Sequence, residues 1–331
     1  MRLMKFFVLC SLLVVVLAGC SSKAKDGKEL KEVTVMLDWY PNAIHSFLYV
    51  AMEKGYFKEK GLDVKLQYPS NPTDPLTLTA AGKSTIGIYY QQDVIMARAN
   101  EEVPIQSIGT IVQSPLSQLM SLKESNIQRP RDLEGKTVGY GGTPLSEATI
   151  KAMVKEDGGD PNQVKLVDVG FELVSALITK KVDVLAGGLI NHELPVMEEK
   201  GYPISTMDPS EFGVPKSHEI VFVASDRTIA KDEATLKAFL EAAKQGFDYT
   251  KKNPDESLAI LLDHQEKDQF PLTKSIEEKS LKIVTDKMET KEEPFLSDHP
   301  ASWEKQNEWL VQQKIADKMV PTDELYKELV K

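Results

Sequence analysis

The chain has 331 residues, 41% of them hydrophobic, and a formal net charge of -10. Such a length buries most of its apolar surface and is large enough for two domains. The acidic balance, without any basic stripe, excludes a nucleic-acid binder and leaves a small ligand as the expected partner.

Arg2 and Lys5 precede an apolar run from Phe6 to Leu17, which closes on Leu17-Ala18-Gly19-Cys20. The run is shorter than the roughly 20 residues of a membrane span and leads through small residues into a cysteine. It reads as a lipoprotein signal over residues 1–19, with Cys20 as the lipid anchor and polar residues 20–31 as a flexible tether. Cys10 lies within the signal, so no pair remains for a disulfide and the core alone must hold the fold. The expected location is the extracytoplasmic face of the cell membrane, reached by the lipid anchor only.

Val33, Val35 and Leu37 alternate with Thr34 and Met36 as a strand does, and Pro41 with Asn42 ends the ladder. Trp39, Tyr40, Asn42 and His45 then crowd the carboxyl end of that strand, where open α/β sheets place ligands. Val64–Tyr68 is a second strand, residues 75–81 a short helix, and Ile86–Tyr90 a third strand ending in Tyr89, Tyr90 and Gln91. Each of these aromatics also has a purely structural reading as core cover, and His45 as a helix-start residue.

Residues 103–112 form a further strand, and the apolar run 119–122 meets the charged Lys123-Glu124-Ser125, where a domain crossing is expected. A regular β-α-β-α-β unit follows: strands at 136–140, 164–169 and 182–186, helices at 145–154 and 172–179. That alternation implies a parallel sheet. Its first loop, Gly141-Gly142-Thr143-Pro144, offers backbone amides to an oxygen, with Thr143 as N-cap and Pro144 as first helical residue. The matching loop after the last strand brings Asn191, His192 and Glu193, of which Glu193 is the expected specificity residue. Ordinary turn glycines and a solvated helix-start carboxylate are the alternatives.

Residues 219–225 form a long apolar strand that crosses back, and the remainder is helical. Leu236, Phe239, Leu240, Ala243 and Phe247 fall on one helical face that must be packed. Further helices are expected at 257–262, 273–288, 301–315 and 323–329. Gly82-Lys83-Ser84 and Gly135-Lys136-Thr137 are chance matches to a phosphate loop, since Thr77 and Pro130 stand where its first glycine belongs. No nucleophile elbow, metal-type histidine pair or available cysteine is present, so no metal, cofactor or catalytic residue is expected.

Asp38-Trp39-Tyr40-Pro41-Asn42 with His45, Glu53-Lys54-Gly55-Tyr56-Phe57 and Gly61-Leu62-Asp63-Val64 resemble the opening of the thiamine-pyrimidine family. Asn71-Pro72-Thr73-Asp74, Gly139-Tyr140-Gly141-Gly142 and Asp183-Val184-Leu185-Ala186-Gly187-Gly188 extend the resemblance over most of the chain. That family holds yeast-type pyrimidine synthases and bacterial formylaminopyrimidine-binding lipoproteins of ABC importers. In the synthases the loop after the third strand carries the lysine that holds pyridoxal phosphate and, four residues on, a reactive histidine. This chain has Tyr89 and Asp93 there, and no cysteine in 217–224, where the synthases' iron motif falls. The resemblance therefore implies binding rather than catalysis.

The expected fold is α/β, of the type II periplasmic-binding-protein kind, with two lobes, a cleft and two hinge crossings. Lobe one spans 32–123 plus 224–331 and lobe two 124–223. The expected ligand set is Trp39, Asn42, His45, Tyr89, Tyr90, Gln91, Gly141, Gly142, Thr143, Asn191 and Glu193, around a thiamine-precursor pyrimidine. A permease and an ATPase are the expected partners of a monomer. A pyridoxal-phosphate synthase and a binder of alkylsulfonates or flavins are the alternatives.

Overall fold

The computed structural model describes residues 29–265, 267 and 271–330; the signal segment, Cys20 and most of the tether lie outside them. Ten strands form two five-stranded sheets. The first holds β1 (Lys31–Met36), β2 (Leu62–Gln67), β3 (Ile86–Tyr90) and β4 (Ile105–Val112). The second holds β5 (Ser117–Leu122), β6 (Thr137–Tyr140), β7 (Lys165–Asp168), β8 (Val184–Leu189) and β9 (Ile204–Met207). The chain then returns through β10 (Ile220–Ser225) to the first sheet.

Strand order is β2-β1-β3-β10-β4 in the first sheet and β7-β6-β8-β5-β9 in the second. β1 runs parallel to β2 and β3, as β6 does to β7 and β8, each following a helical crossover. The strand arriving from the other sheet, β10 or β5, is antiparallel to both of its neighbours. The links between sheets therefore lie at 113–116 and 208–219, not at about 123 and 224. Leu119 and Met120 are buried between β8 and β9, while Lys123–Ser125 is only a surface 3-10 turn.

Two further departures have local causes. β9 has four residues and its place is set by pairing with distant β5, which local periodicity does not reveal. The last helix covers only Thr322–Leu325, because Tyr326 bridges Ser107 and the Lys327 amide donates to the Ser107 carbonyl at 2.8 Å.

The packed helical face expected at 236–247 belongs to the helix Asp226–Lys252, and all five of its apolar residues are fully buried. Phe239 stacks on Phe57 and meets Phe222 edge-on, while Phe247 stacks on Phe295 at 4.1 Å. This helix lies so close to the helix Ser46–Glu53 that a Cβ at Gly246 would stand 2.2 Å from the Phe47 carbonyl oxygen. Gly246→Ala should therefore lower stability by about 1–3 kcal/mol, against the ~1 kcal/mol that alanine gains by helix propensity. A denaturant midpoint that rises in this variant would refute the close approach.

Candidate functional site

The carboxyl ends of β1, β3, β6 and β8 converge on a cavity of ≈ 160 Å³ between the two sheets, the place open α/β sheets reserve for ligands. Trp39 and Tyr90 contribute rings, and Gly141, Thr143 and Gly187 contribute backbone from the facing sheet. Trp39 also reaches across the cleft, meeting Phe171 edge-on at 4.4 Å. Phe171 follows β7, so this contact joins the two sheets' units.

Four carboxylates line the cavity, Asp38, Asp93, Asp208 and Glu219, and the only lysine among the lining residues, Lys216, is exposed. Asp38 is buried and accepts from His45 Nε2 at 2.9 Å. The Tyr90 hydroxyl donates to its other oxygen at 3.5 Å. Glu219 accepts from the amides of Leu116 and Ser117 at 2.7 and 3.2 Å, tying together the two segments that link the sheets. Burial raises its pKa, and those two amides oppose the rise. Asp93, in the first turn of the helix Gln91–Glu101, receives no hydrogen bond from the described residues. Burial, with Glu219 beside it, pushes its pKa up to about 7. Burial lowers the His218 pKa to about 4, so its ring enters the cleft neutral.

The expected ligand set divides. Trp39, Tyr90, Gln91, Gly141 and Thr143 line the cavity. Asn42 and Glu193 line a side chamber of ≈ 20 Å³, about the space of one water. Glu193 already accepts from the Leu189 amide at 2.8 Å. Asn42 caps the turn Ala43–His45, accepting from the Ile44 amide at 2.9 Å and donating to the Tyr40 carbonyl at 3.0 Å. His45 is fully buried behind Asp38: its Nδ1 accepts from the Asn42 amide, so Nε2 carries the hydrogen given to Asp38.

Tyr89, Gly142 and Asn191 are outside both linings. Tyr89 is 2% exposed, packed in the core with Val94 and Val221. Asn191 is buried and donates to the Ser280 hydroxyl at 3.1 Å. Gly142 has φ +77 and faces the Asp168 carboxylate, 2.9 Å from where a Cβ would be, so the turn itself requires glycine. Thr143 caps the helix Pro144–Glu156 as expected, its hydroxyl accepting from the Ser146 amide.

Asp38, Asp93 and Glu219 were not in the expected set. Asp38 had a visible signal, an acid at the end of a strand beside two aromatics. The other two meet only through the antiparallel β3–β10 register that pairs Tyr90 with Ile220.

Two mixed sheets linked by two crossings, with a cleft at the strand ends, define the periplasmic-binding-protein fold. The alkanesulfonate-binding protein SsuA from Xanthomonas axonopodis pv. citri, bound to MOPS, superimposes with a TM-score of 0.69. That match covers 90% of this chain and 99% of the other at 12% identity. Residues 42–257 match the family described as NMT1/THI5 like, and the chain belongs to that family. The formylaminopyrimidine-binding protein of Halalkalibacterium halodurans is 43% identical over 93% of this chain and 94% of that protein. A 4-amino-5-hydroxymethyl-2-methylpyrimidine phosphate synthase of Legionella pneumophila is 27% identical over 72% of this chain and 76% of the enzyme.

Proposed function

We propose that the chain is the substrate-binding lipoprotein of an ABC importer, capturing a thiamine-precursor pyrimidine, formylaminopyrimidine, for uptake and salvage. The observation that carries this reading is an aromatic, carboxylate-lined cavity of ≈ 160 Å³, close to the roughly 150 Å³ that admits one benzene ring. A single flat ring with amino donors suits it, and the kinship with a formylaminopyrimidine-binding protein supports the choice. A flavin's fused three-ring system exceeds that space. A sulfonate would meet four acidic side chains and, among the lining residues, no buried cation, an arrangement that offers an anion no countercharge.

The synthase alternative fares no better on these residues. Tyr89, where the synthases' Schiff-base lysine is expected, is a core residue outside the cavity. The lining offers no lysine except exposed Lys216. No catalytic step is assigned.

In this reading Cys20 anchors the monomer on the extracytoplasmic face, and a permease and an ATPase receive the ligand. Among the described residues no helix is long and apolar enough to cross a membrane. The segments 113–116 and 208–219 form the hinge, and a ligand touching both lobes favours the closed form. Trp39 and Tyr90 hold the ring faces, the Gly141 and Thr143 amides receive the formyl oxygen, and Glu193, tied to the Leu189 amide, borders the side chamber.

Calorimetric titration of the purified protein with formylaminopyrimidine, an alkylsulfonate and riboflavin tests this choice. Only the first should bind, and saturable sulfonate or flavin binding in its place would reverse the assignment. Trp39→Ala should weaken accepted pyrimidines together, by roughly 1–3 kcal/mol, because stacking hardly depends on which heterocycle is held. A loss confined to one pyrimidine would show that Trp39 reads an edge instead.

A further inference from the structure

Among the acids of the cleft, Asp93 alone has no partner. Asp38 is held by His45, Glu219 by two amides and Glu193 by the Leu189 amide. Asp93 is only 6% exposed, lines the cavity, and has no hydrogen bond or ion pair among the described residues. A buried carboxyl left so is costly as an anion unless a ligand satisfies it.

We infer that Asp93 in its protonated form holds the amidine edge of the aminopyrimidine, donating to a ring nitrogen and accepting from the adjacent exocyclic amine. This rests on the pyrimidine reading above. A neutral aminopyrimidine presents one acceptor and one donor side by side, and a neutral carboxyl presents the complementary pair. A carboxylate offers two acceptors and would set one against the ring nitrogen's lone pair.

The surroundings put the proton there. Glu219, from the segment before β10, and Asp38, past β1, are the facing acids. Tyr89 and Tyr90 of β3 keep their hydroxyl protons, since burial raises both well above the ordinary tyrosine value. Asp208 also lines the cavity, neutral His218 adds no charge, and Lys216 is exposed. Glu219 has two amides to support its negative charge and Asp93 has none, so the proton belongs to Asp93. With its pKa pushed up to about 7, Asp93 gives up that proton in the empty cleft as the pH passes neutrality.

The sign of the pH dependence follows. Ligand binding stabilises the protonated form, so affinity is full below pH 7 and falls as pH rises, on the order of 100-fold by pH 9. Formylaminopyrimidine is titrated by calorimetry between pH 6 and pH 9 into wild type, Asp93→Asn and Asp93→Ala, with melting curves to verify folding. Asparagine carries a donor and an acceptor at every pH, so its profile should be flat within about twofold; Asp93→Ala should lose about tenfold or more at pH 6. The deaminated analogue should bind wild type more weakly than the amine. A flat wild-type profile, or an asparagine variant that keeps the slope, overturns the role of Asp93 while the pyrimidine reading stands. Absence of wild-type binding at every pH overturns both.

Discussion

Trp303→Ala is expected to lower the stability of the protein by about 3–5 kcal/mol, the usual cost of removing a buried large aromatic. Trp303 is fully buried in the helix Pro300–Gln312, stacked on Tyr326 at 5.8 Å and edge-on to His218 at 6.4 Å. Its indole N–H donates to Asp298 at 3.2 Å, on the same oxygen that accepts the hydroxyls of Thr110 and Ser107. Burial pushes the Asp298 pKa up to about 6, and those hydrogen bonds oppose the rise. The alanine variant therefore opens a cavity and also removes a donor from a buried acid.

Trp303→Phe separates the two contributions, because it keeps much of the ring volume and loses only the N–H. It should cost about 1–3 kcal/mol. Urea midpoints at unchanged slope measure both losses. Equal losses would mean that the hydrogen bond, not the volume, carries the effect. A loss below ~1 kcal/mol for alanine would mean that the site collapses freely. Since His218 lines the cleft, Trp303 also serves as part of the floor on which the ligand cavity is built.

Much of this fold was legible in the residues, for a physical reason that also marks where legibility stops. β3 and β10 are buried and write themselves as apolar runs, β1 shows itself by alternation, and Thr143 announces its helix through a cap that any chain would use. β5 and β9 owe their place to partners far away in sequence, so the expected crossing moved to the charged turn after β5 instead of the segment before it. Tyr89 and Tyr90 are adjacent on a strand covered on both faces, and alternation alone does not tell which face holds the cleft. The structure sends Tyr90 to Asp38 and Tyr89 to the core.

The polar members of the site were harder still. Asn42, His45 and Gln91 are residue types that a ligand site uses, but they are equally the types that hold a loop in shape. Here the shape-holding role is visible in every bond: Gln91 accepts from the His218 amide at 3.0 Å and Asn42 caps its own turn. Asp93 sits in a helix's first turn, where acids are common and draw no notice. Only the tertiary neighbours that desolvate it make it unusual.

His45→Ala should destabilise the protein by about 1–3 kcal/mol, since removing the Nε2–H leaves a buried acceptor on Asp38 without its donor. His45 and Asp38 side chains are essentially unexposed, and the His45 Nε2 hydrogen bond is the principal support of the Asp38 carboxylate. What remains in the variant is the Tyr90 hydroxyl at 3.5 Å, too long to replace it. The Asn42 amide also loses its acceptor on Nδ1, which loosens the turn that carries Trp39 to the cleft. His45→Gln retains an N–H near the Nε2 position and should lose less than alanine does. Ligand affinity should fall in the same order, because Asp38 lines the cavity and an unsupported carboxylate there draws water into it. Denaturant midpoints and pyrimidine titrations on both variants measure the two effects. If glutamine and alanine cost the same, the imidazole contributes packing alone, and Asp38 is supported by something other than His45.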